Sequence, residues 1–395
     1  MNKLLDKIEK KGAKVIVIGL GYVGLPLACE IARAGFNVIG IDKDNSKVKA
    51  INRGKNYISD MVDSELSNII GTEKLIATQD FKKVKEVDVI ILSVPTPLTK
   101  NQEPDMRFIN KALDKMLPFI HKKQLIILES TTYPGTTEEL IRPQLESRGF
   151  EIGQDLYLAF SPERIDPGNK KYKVRDIPKI VGGVTKNCTK VAETFYMQVI
   201  KGGVHTVSSP KVAEMEKLLE NIFRNVNIAL VNEFAMLCHK MGIDIWEVIE
   251  AASTKPYGFM PFYPGPGVGG HCIPVDPYYL SWKAKEYNFH TKFIELAGEI
   301  NNNMPQYVVD RIIDLLNQKG KSLSQSTLLL LGIAYKKDIS DIRESPAVKV
   351  AEILRQKGAN FSYHDPFVPK IKINGETLCS IDLNTKVIHS SDITI

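Results

Sequence analysis

The chain of 395 residues reads as an α/β protein with two doubly wound parallel-sheet units on either side of one long helix. Three patterns say so. In the first half, short β-branched apolar runs alternate with helical stretches; an unbroken helical pattern runs from Pro210 through Met241; and strand, helix and strand alternate again toward the end. The expected division is 1–208, 209–303 and 304–395. With 43% hydrophobic and 25% charged residues, the composition excludes disordered and fibrous classes. The net charge of +6 is spread along the chain without a run of one sign. It suits anionic small molecules and is too mild to point to nucleic acid. Five cysteines make no CxxC pair and no metal-ligand spacing, and the first residues lack the apolar core of a signal peptide. No apolar run reaches the roughly 18 residues of a membrane helix. The expectation is a cytoplasmic protein without a metal.

Lys14 to Ile18 is a short strand that leads into Gly19-Leu20-Gly21-Tyr22-Val23-Gly24, followed by a helix from Leu25 to Ala34. Gly35 closes that helix, Phe36 to Ile41 forms a second buried strand, and Asp42 stands at its end. Glycine turns between strand and helix are common, but strand, turn, helix and terminal acid together spell a Rossmann-like dinucleotide site. The helix N-terminus takes the pyrophosphate and Asp42 the ribose hydroxyls. An acid there favours NAD over NADP, because it repels a 2'-phosphate, although the neighbouring Lys43 weakens that preference. Further strands at Val87 to Val94, Leu125 to Leu128 and Leu156 to Phe160 alternate with helical stretches at Phe108 to Ile120 and Thr137 to Ser147.

Ligands of such sheets bind beyond the C-terminal strand ends. The loops there are Ser93-Val94-Pro95-Thr96-Pro97, Glu129 to Gly135, and Ser161-Pro162-Glu163-Arg164. Thr131 and Glu163 are the functional candidates in them, whereas Thr136 and Thr137 read as residues that shape a turn and cap a helix. Ser209, as N-cap, and Pro210 start the long helix, which stops at Gly242. Its apolar positions suit a buried connector or a dimer seam. Lys217 and Asn221 share one of its faces and are placed to stabilise negative charge on a substrate oxygen; equally, they make an ordinary surface pair.

Pro264 to Leu280, PGPGVGGHCIPVDPYYL, sets Cys272 in a glycine-rich loop that presents the thiol. Beside a nicotinamide, a presented thiol suggests oxidation through a covalent intermediate. Three rival readings stand: an inert buried thiol, a metal ligand together with His271, and half of a disulfide. Asp276 either caps the following helix or orients a water or a lysine. Tyr257, Phe259, Phe262 and Tyr263 make either a stacking surface or core. The last third reads as a helix to about Gln318, a strand at Thr327 to Leu331, a helix from Ala347 to Lys357 and a strand at Asn360 to His364, without a second glycine fingerprint.

The blocks GLGYVGLPLA, ESTTYPGTTEE, SPERIDPGN, the Lys217 and Asn221 pair, GPGVGGHCIPVDPYYL and GIAYKKDISDIRESPA together resemble the UDP-glucose and UDP-N-acetylhexosamine 6-dehydrogenase family, in order and over nearly the whole chain. SPERIDPGN and FMPFYPGPGVGGHCIPVDPYYL are most similar to its UDP-N-acetyl-D-glucosamine branch. The resemblance implies a four-electron oxidation of a sugar CH2OH to a carboxylate with two NAD, and a product that feeds surface polysaccharide. It gives Cys272 the aldehyde to attack, and Lys217 and Asn221 the oxyanions. Asp276 and Thr131 would hold the hydrolytic water, and Glu163 would assist proton transfer. Cofactor contacts would come from Gly19, Gly21, Tyr22, Val23, Gly24, Asp42, Lys43, Thr96, Thr131 and Arg343. Substrate contacts would come from Glu163, Arg164, Lys217, Asn221, Tyr263, Gly269 and Lys336, with the last third serving as the UDP half-site.

Pro167 stands where the UDP-glucose branch carries a second glutamate, which argues against UDP-glucose. The chain ends at Ile395, where the family continues through a buried strand and a helix. The expectation is a truncated last domain with an open sheet edge. A homodimer is expected, seamed along the long helix. The alternatives are the same chemistry on UDP-glucose or UDP-N-acetyl-D-mannosamine, a single-step β-hydroxy acid dehydrogenase, and a nucleotide-binding protein without turnover.

Overall fold

Strands that are apolar at nearly every position can only be satisfied by burial on both faces, and this is how the first unit is built. The computed structural model describes residues 1–58, 61–165, 169 and 171–395. The chain divides into two compact units, Met1–Leu219 and Glu220–Ile395. The first contains α1 (Asn2–Glu9), β1 (Lys14–Ile18), α2 (Gly24–Arg33), β2 (Asn37–Ile41), α3 (Asn45–Asn52), α4 (Asp63–Gly71), β3 (Leu75–Thr78), β4 (Val89–Leu92), α5 (Arg107–Met116), β5 (Leu125–Leu128), α6 (Arg142–Glu146), β6 (Tyr157–Phe160), β7 (Lys179–Gly183), α7 (Lys186–Met197) and β8 (Val204–Val207). A π-helical turn, Thr136–Ile141, precedes α6. The sheet runs in the order β3-β2-β1-β4-β5-β6-β7-β8. Every pairing is parallel except β6 with β7, where Phe160 faces Gly182. The order reverses between β1 and β4, so the Gly19 to Gly24 turn opens at the switch point where such sheets bind ligands.

α8 (Pro210–Met241) starts in the first unit and continues into the second. It spans about 48 Å at 1.5 Å per residue over its 32 residues. Gly242, at φ +69°, ends it, and the amide of Ile243 turns back to the carbonyl of Cys238. The second unit continues with α9 (Ile245–Ser253), α10 (Asp276–Ala284), α11 (Lys292–Gln318), β9 (Thr327–Leu331), α12 (Pro346–Gln356), β10 (Asn360–His364), β11 (Lys370–Ile373), β12 (Glu376–Cys379), α13 (Thr385–Ser390) and β13 (Ile393–Thr394). Its core joins Val309, Ile312 and Leu316 of α11 to Leu328 and Leu330 of β9, Val350 and Leu354 of α12, and Phe361 and Tyr363 of β10. α11 starts well before Asn303 and runs unbroken through it, with Pro305 inside.

The edge of β9 that was expected to stand open is not open. β13 pairs with it in parallel, Ile393 against Leu328 and Thr394 against Leu329, giving the order β10-β9-β13. Asp392 adds a side-chain tie at the same edge by accepting from the amide of Thr327 at 2.9 Å.

Candidate active site

The turn after β1 is held from both sides. A side chain at Gly19, which sits at φ +97°, would stand 2.2 Å from the carbonyl oxygen of Ser93, and one at Gly24 would stand 1.8 Å from that of Gly19. Gly21 differs, since a Cβ there would meet nothing within 4 Å. Its backbone therefore faces open space at the N-terminus of α2, which is the cradle a pyrophosphate needs. Asp42 is buried at the end of β2 and accepts from the amides of Leu20 at 3.0 Å and Asp44 at 2.9 Å. This carboxylate ties the glycine turn to the second strand and keeps lone pairs for a ribose. The hydroxyl of Tyr57 donates to the carbonyl of Leu20 at 2.5 Å, while Lys43 lies over the ring of Phe108. These residues fit NAD.

The loops after β4 and β5 are joined by Ser130, whose hydroxyl accepts from the amide of Val94 at 2.9 Å and donates to its carbonyl at 2.7 Å. Thr131 follows, half-buried, and Thr96 is likewise partly exposed. Thr136 and Thr137 are structural, as expected. Thr136 donates to the carbonyl of Tyr133, and Thr137 gives both its hydroxyl and its amide to Glu214 of α8 at 2.7 and 2.9 Å. Glu214 also accepts from the amide of Gly135 at 2.5 Å. Lys217, one turn further along α8, is buried as well.

Glu163 is buried with both oxygens occupied. One accepts from the amides of Arg164 at 2.7 Å and Ile165 at 2.8 Å, and the other from the ammonium of Lys179 at 3.1 Å. Lys179 also faces Glu129 at 3.2 Å, an ion pair without hydrogen-bond alignment, and the hydroxyl of Tyr196 donates to the other oxygen of Glu129. Burial disfavours every charge in this group. At Glu163 the Lys179 ammonium and the two amides overcome that cost, and its carboxyl lies below the usual range. At Glu129 burial prevails and, with repulsion from Glu163, holds the carboxyl above it. The ammonium between them is held above the ordinary lysine range by the two carboxylates, against its burial. Arg164 donates to the carbonyl of Pro178 at 2.9 Å. Pro167 lies outside the described residues.

In the second unit the thiol loop lies along α8 and α11. Cys272 is half-buried, and its carbonyl accepts from the amides of Val275 at 3.0 Å and Asp276 at 2.8 Å, which starts α10. Asp276 is buried and accepts from the side-chain amide of Asn221 at 2.5 Å. Gly269 and Gly270 press on Tyr335, where a Cβ would come within 2.5 and 3.0 Å. Close packing therefore explains glycine at 269 without any ligand. No disulfide joins the five cysteines, and among the described residues no cluster of His, Cys, Asp or Glu is arranged to hold a metal. Tyr257, Phe259 and Tyr263 are exposed rather than core, and Tyr263 stacks on Trp246 at 6.0 Å.

The model of the UDP-glucose/GDP-mannose dehydrogenase family matches in three parts: the NAD binding domain at residues 13–200, the central domain at 211–303 and the UDP binding domain at 329–395. The chain belongs to that family. It is an NAD-dependent UDP-sugar dehydrogenase. The UDP-N-acetyl-D-glucosamine 6-dehydrogenase of Pseudomonas aeruginosa is 36% identical over 91% of this chain and 84% of its own length. The solved structure of the UDP-D-ManNAc dehydrogenase of Pyrococcus horikoshii is 35% identical, with a TM-score of 0.88 over 96% of this chain and 88% of that one. That of the UDP-N-acetyl-mannosamine dehydrogenase Cap5O from Staphylococcus aureus is 36% identical, with a TM-score of 0.80 over 92% and 85%.

In this dehydrogenase the UDP binding part repeats the plan of the first sheet with a different use of its acid. Asp365, at the end of β10, is buried and accepts from four backbone amides, those of Ile333, Ala334, Phe367 and Val368, at 2.8 to 3.1 Å. Lys336 is partly exposed, and the guanidinium of Arg343 grips Asp341, with Nε 2.9 Å from Oδ1. Sequence reasoning did not find Glu214, Lys179, Tyr196, Asp365 or the role of Glu129. Most of their partners lie far away in the chain, and apart from Glu129, which opens the ESTTYPGTTEE block, no motif marks them. The only other available signal was the helical spacing of Glu214 and Lys217.

Proposed function

We propose that this dehydrogenase oxidises UDP-N-acetyl-D-glucosamine at C6 to UDP-N-acetyl-D-glucosaminuronic acid, a precursor of surface polysaccharide, through a thioester on Cys272. The observation that carries the reading is the thiol loop: a half-buried cysteine whose carbonyl starts α10, beside the buried pair of Asp276 and Asn221. NAD, when bound, accepts the two electrons and the hydrogen removed from C6 in each oxidation. Gly19, Gly21, Tyr22, Val23, Gly24, Asp42, Lys43, Thr96, Thr131 and Arg343 hold it.

Cys272 adds to the aldehyde carbon. An S–C bond forms, the carbonyl electron pair moves to oxygen, and the carbon regains the tetrahedral C–H that an aldehyde lacks in usable form. Lys217 and Asn221 stabilise that oxyanion. Once the adduct is oxidised to the thioester, water held by Asp276 and Thr131 adds to it. Glu163 takes the proton, the S–C bond breaks and the thiol returns. Arg164, Tyr263, Gly269 and Lys336 bind the remainder of the substrate. The functional divisions are 1–208 for NAD, 209–303 for catalysis and dimerisation, and 304–395 for UDP.

A second reading, UDP-N-acetyl-D-mannosamine as substrate, draws on the likeness to the P. horikoshii and S. aureus enzymes, since these identities barely differ from that of the P. aeruginosa one. Phe223, Leu230, Phe234, Leu237 and Met241 form an exposed apolar stripe on α8, the seam of a homodimer. The proposed place of work is the cytoplasm; among the described residues no helix is long and apolar enough to cross a membrane.

The test is to count NADH per sugar with limiting UDP-N-acetyl-D-glucosamine, and separately with the mannosamine isomer. Two per glucosamine sugar, and no acid from Cys272→Ala, is the expected result. One per sugar would make this a single-step enzyme. Turnover of the mannosamine sugar alone would select the second reading, and no NADH from any UDP-sugar would leave a binding protein.

A further inference from the structure

Three asparagines of α8, Asn221, Asn225 and Asn232, lie four and then seven residues apart, on one helical stripe about 16 Å long. All three are buried, and all three reach the same segment. Asn232 accepts from the amide of Gly265 at 2.9 Å, where the thiol loop begins. Asn225 donates to the carbonyl of Ile273 at 3.2 Å, one residue past the thiol, and Asn221 meets Asp276 where the loop ends. A fourth buried carboxamide, Asn301 of α11, closes the circuit. It accepts from Asn232 at 3.0 Å and donates to the backbone carbonyl of Asn225 at 3.1 Å.

Pro305 completes the arrangement. Lacking an N–H, it cannot bond the carbonyl of Asn301 one turn back, and the loop passes there: a Cβ at Gly267, which sits at φ +123°, would be 2.7 Å from that oxygen. Buried carboxamides are a poor way to gain stability, because apolar side chains of similar volume do as well or better. What three of them provide on one loop, with Asn301 bracing two of the three, is a fixed position.

We infer that Asn225, Asn232 and Asn301 form a carboxamide clamp that sets where the Cys272 thiol stands, and that they are positioning residues for the thiol chemistry. The inference rests on the reading of Cys272 as nucleophile, but its test does not require turnover. The exposed Cys379 is an internal reference. In the full chain, the rate of alkylation by iodoacetamide at Cys272 relative to Cys379 is measured by peptide mass spectrometry.

Asn232→Ala should release the loop and raise that ratio by roughly threefold or more, since access controls thiol reactivity. It should also lower kcat by about a hundredfold, the cost of a misplaced reacting group, with KM for the UDP-sugar little changed. Asn232→Asp, which keeps the acceptor for Gly265 but loses the donor to Asn301, should fall between the parent and the alanine variant. Asn225→Ala carries the same test if Asn232→Ala does not fold. A ratio within a factor of about two of the parent in the folded variants would overturn the clamp. Alkylation that shifts as expected while Cys272→Ala still forms acid would overturn the nucleophile reading instead, and leave the clamp as a purely structural device.

Discussion

Glu214 is fully buried, and among the described residues its hydrogen-bond partners are all donors: two backbone amides and a threonine hydroxyl. Burial is the larger influence and pushes its carboxyl up to about 7 from the ordinary 4.5, against the pull of those donors. A raised carboxyl binds its proton more tightly in the folded chain. Its contribution to stability is therefore fully present below pH 4.5 and is lost as the pH rises to about 7. At about 1.4 kcal/mol per unit, the loss is about 3 kcal/mol. Glu214→Gln removes this titration. In denaturant unfolding at pH 5 and pH 8, the gap between parent and variant should shrink toward the higher pH, and a gap that stays flat would show that Glu214 does not titrate there. Such a residue is hard to read from sequence. Thr137 and Glu214 are 77 positions apart, and a glutamate at a helix start looks like any solvated charge. The place of Asp42 at a strand end and that of Cys272 in a loop, by contrast, were legible because local glycine patterns frame them.

Among the elements, α8 was legible to the residue, because proline after a serine cap and a terminal glycine bracket it. β1, β5, β9 and β10 were equally legible, being apolar runs between turn residues. Less so were β7 and β8, where glycines and polar residues interrupt the pattern, and the π-helical turn, which looks like any helical stretch until Glu214 is seen to hold its start. The same helix carries the next prediction. Phe223, Leu230, Phe234 and Leu237 are each about half exposed, whereas the asparagine stripe of α8 is buried. An apolar stripe of that length left to water costs solubility, and a second copy of the helix would cover it. The chain should sediment as a dimer, and Leu230→Glu with Phe234→Glu should sediment as a monomer that still binds NADH. A monomeric parent would sink the seam.

On the scale of the whole molecule, each unit ends its second strand in a buried aspartate, yet the two are bonded differently. Asp42 takes two amides and sits beside a glycine turn that is open at Gly21. Asp365 takes four amides, the equivalent loop folding onto its own acid where no glycine fingerprint holds a cradle open. Burial raises the Asp365 carboxyl, but the amides of Ile333, Phe367, Ala334 and Val368 outweigh it and hold the group below its ordinary 3.8. The stability it contributes is therefore present above that pH and lost as the pH falls through the lowered value. One topology thus supplies a cofactor site in the first unit and a fold lock in the second. Asp42→Asn should weaken NADH binding roughly ten- to a hundredfold, the loss of a charged partner for the ribose, and narrow the preference over NADPH. Asp365→Asn turns an amide toward amide donors and should cost about 2 to 4 kcal/mol of stability, while NADH affinity stays at the parent value. Fluorescence titration with NADH and NADPH, alongside denaturant unfolding of both variants, separates the two roles. If Asp365→Asn weakened NADH as much as Asp42→Asn does, the two acids would share one task, and the division of labour between the units would fail.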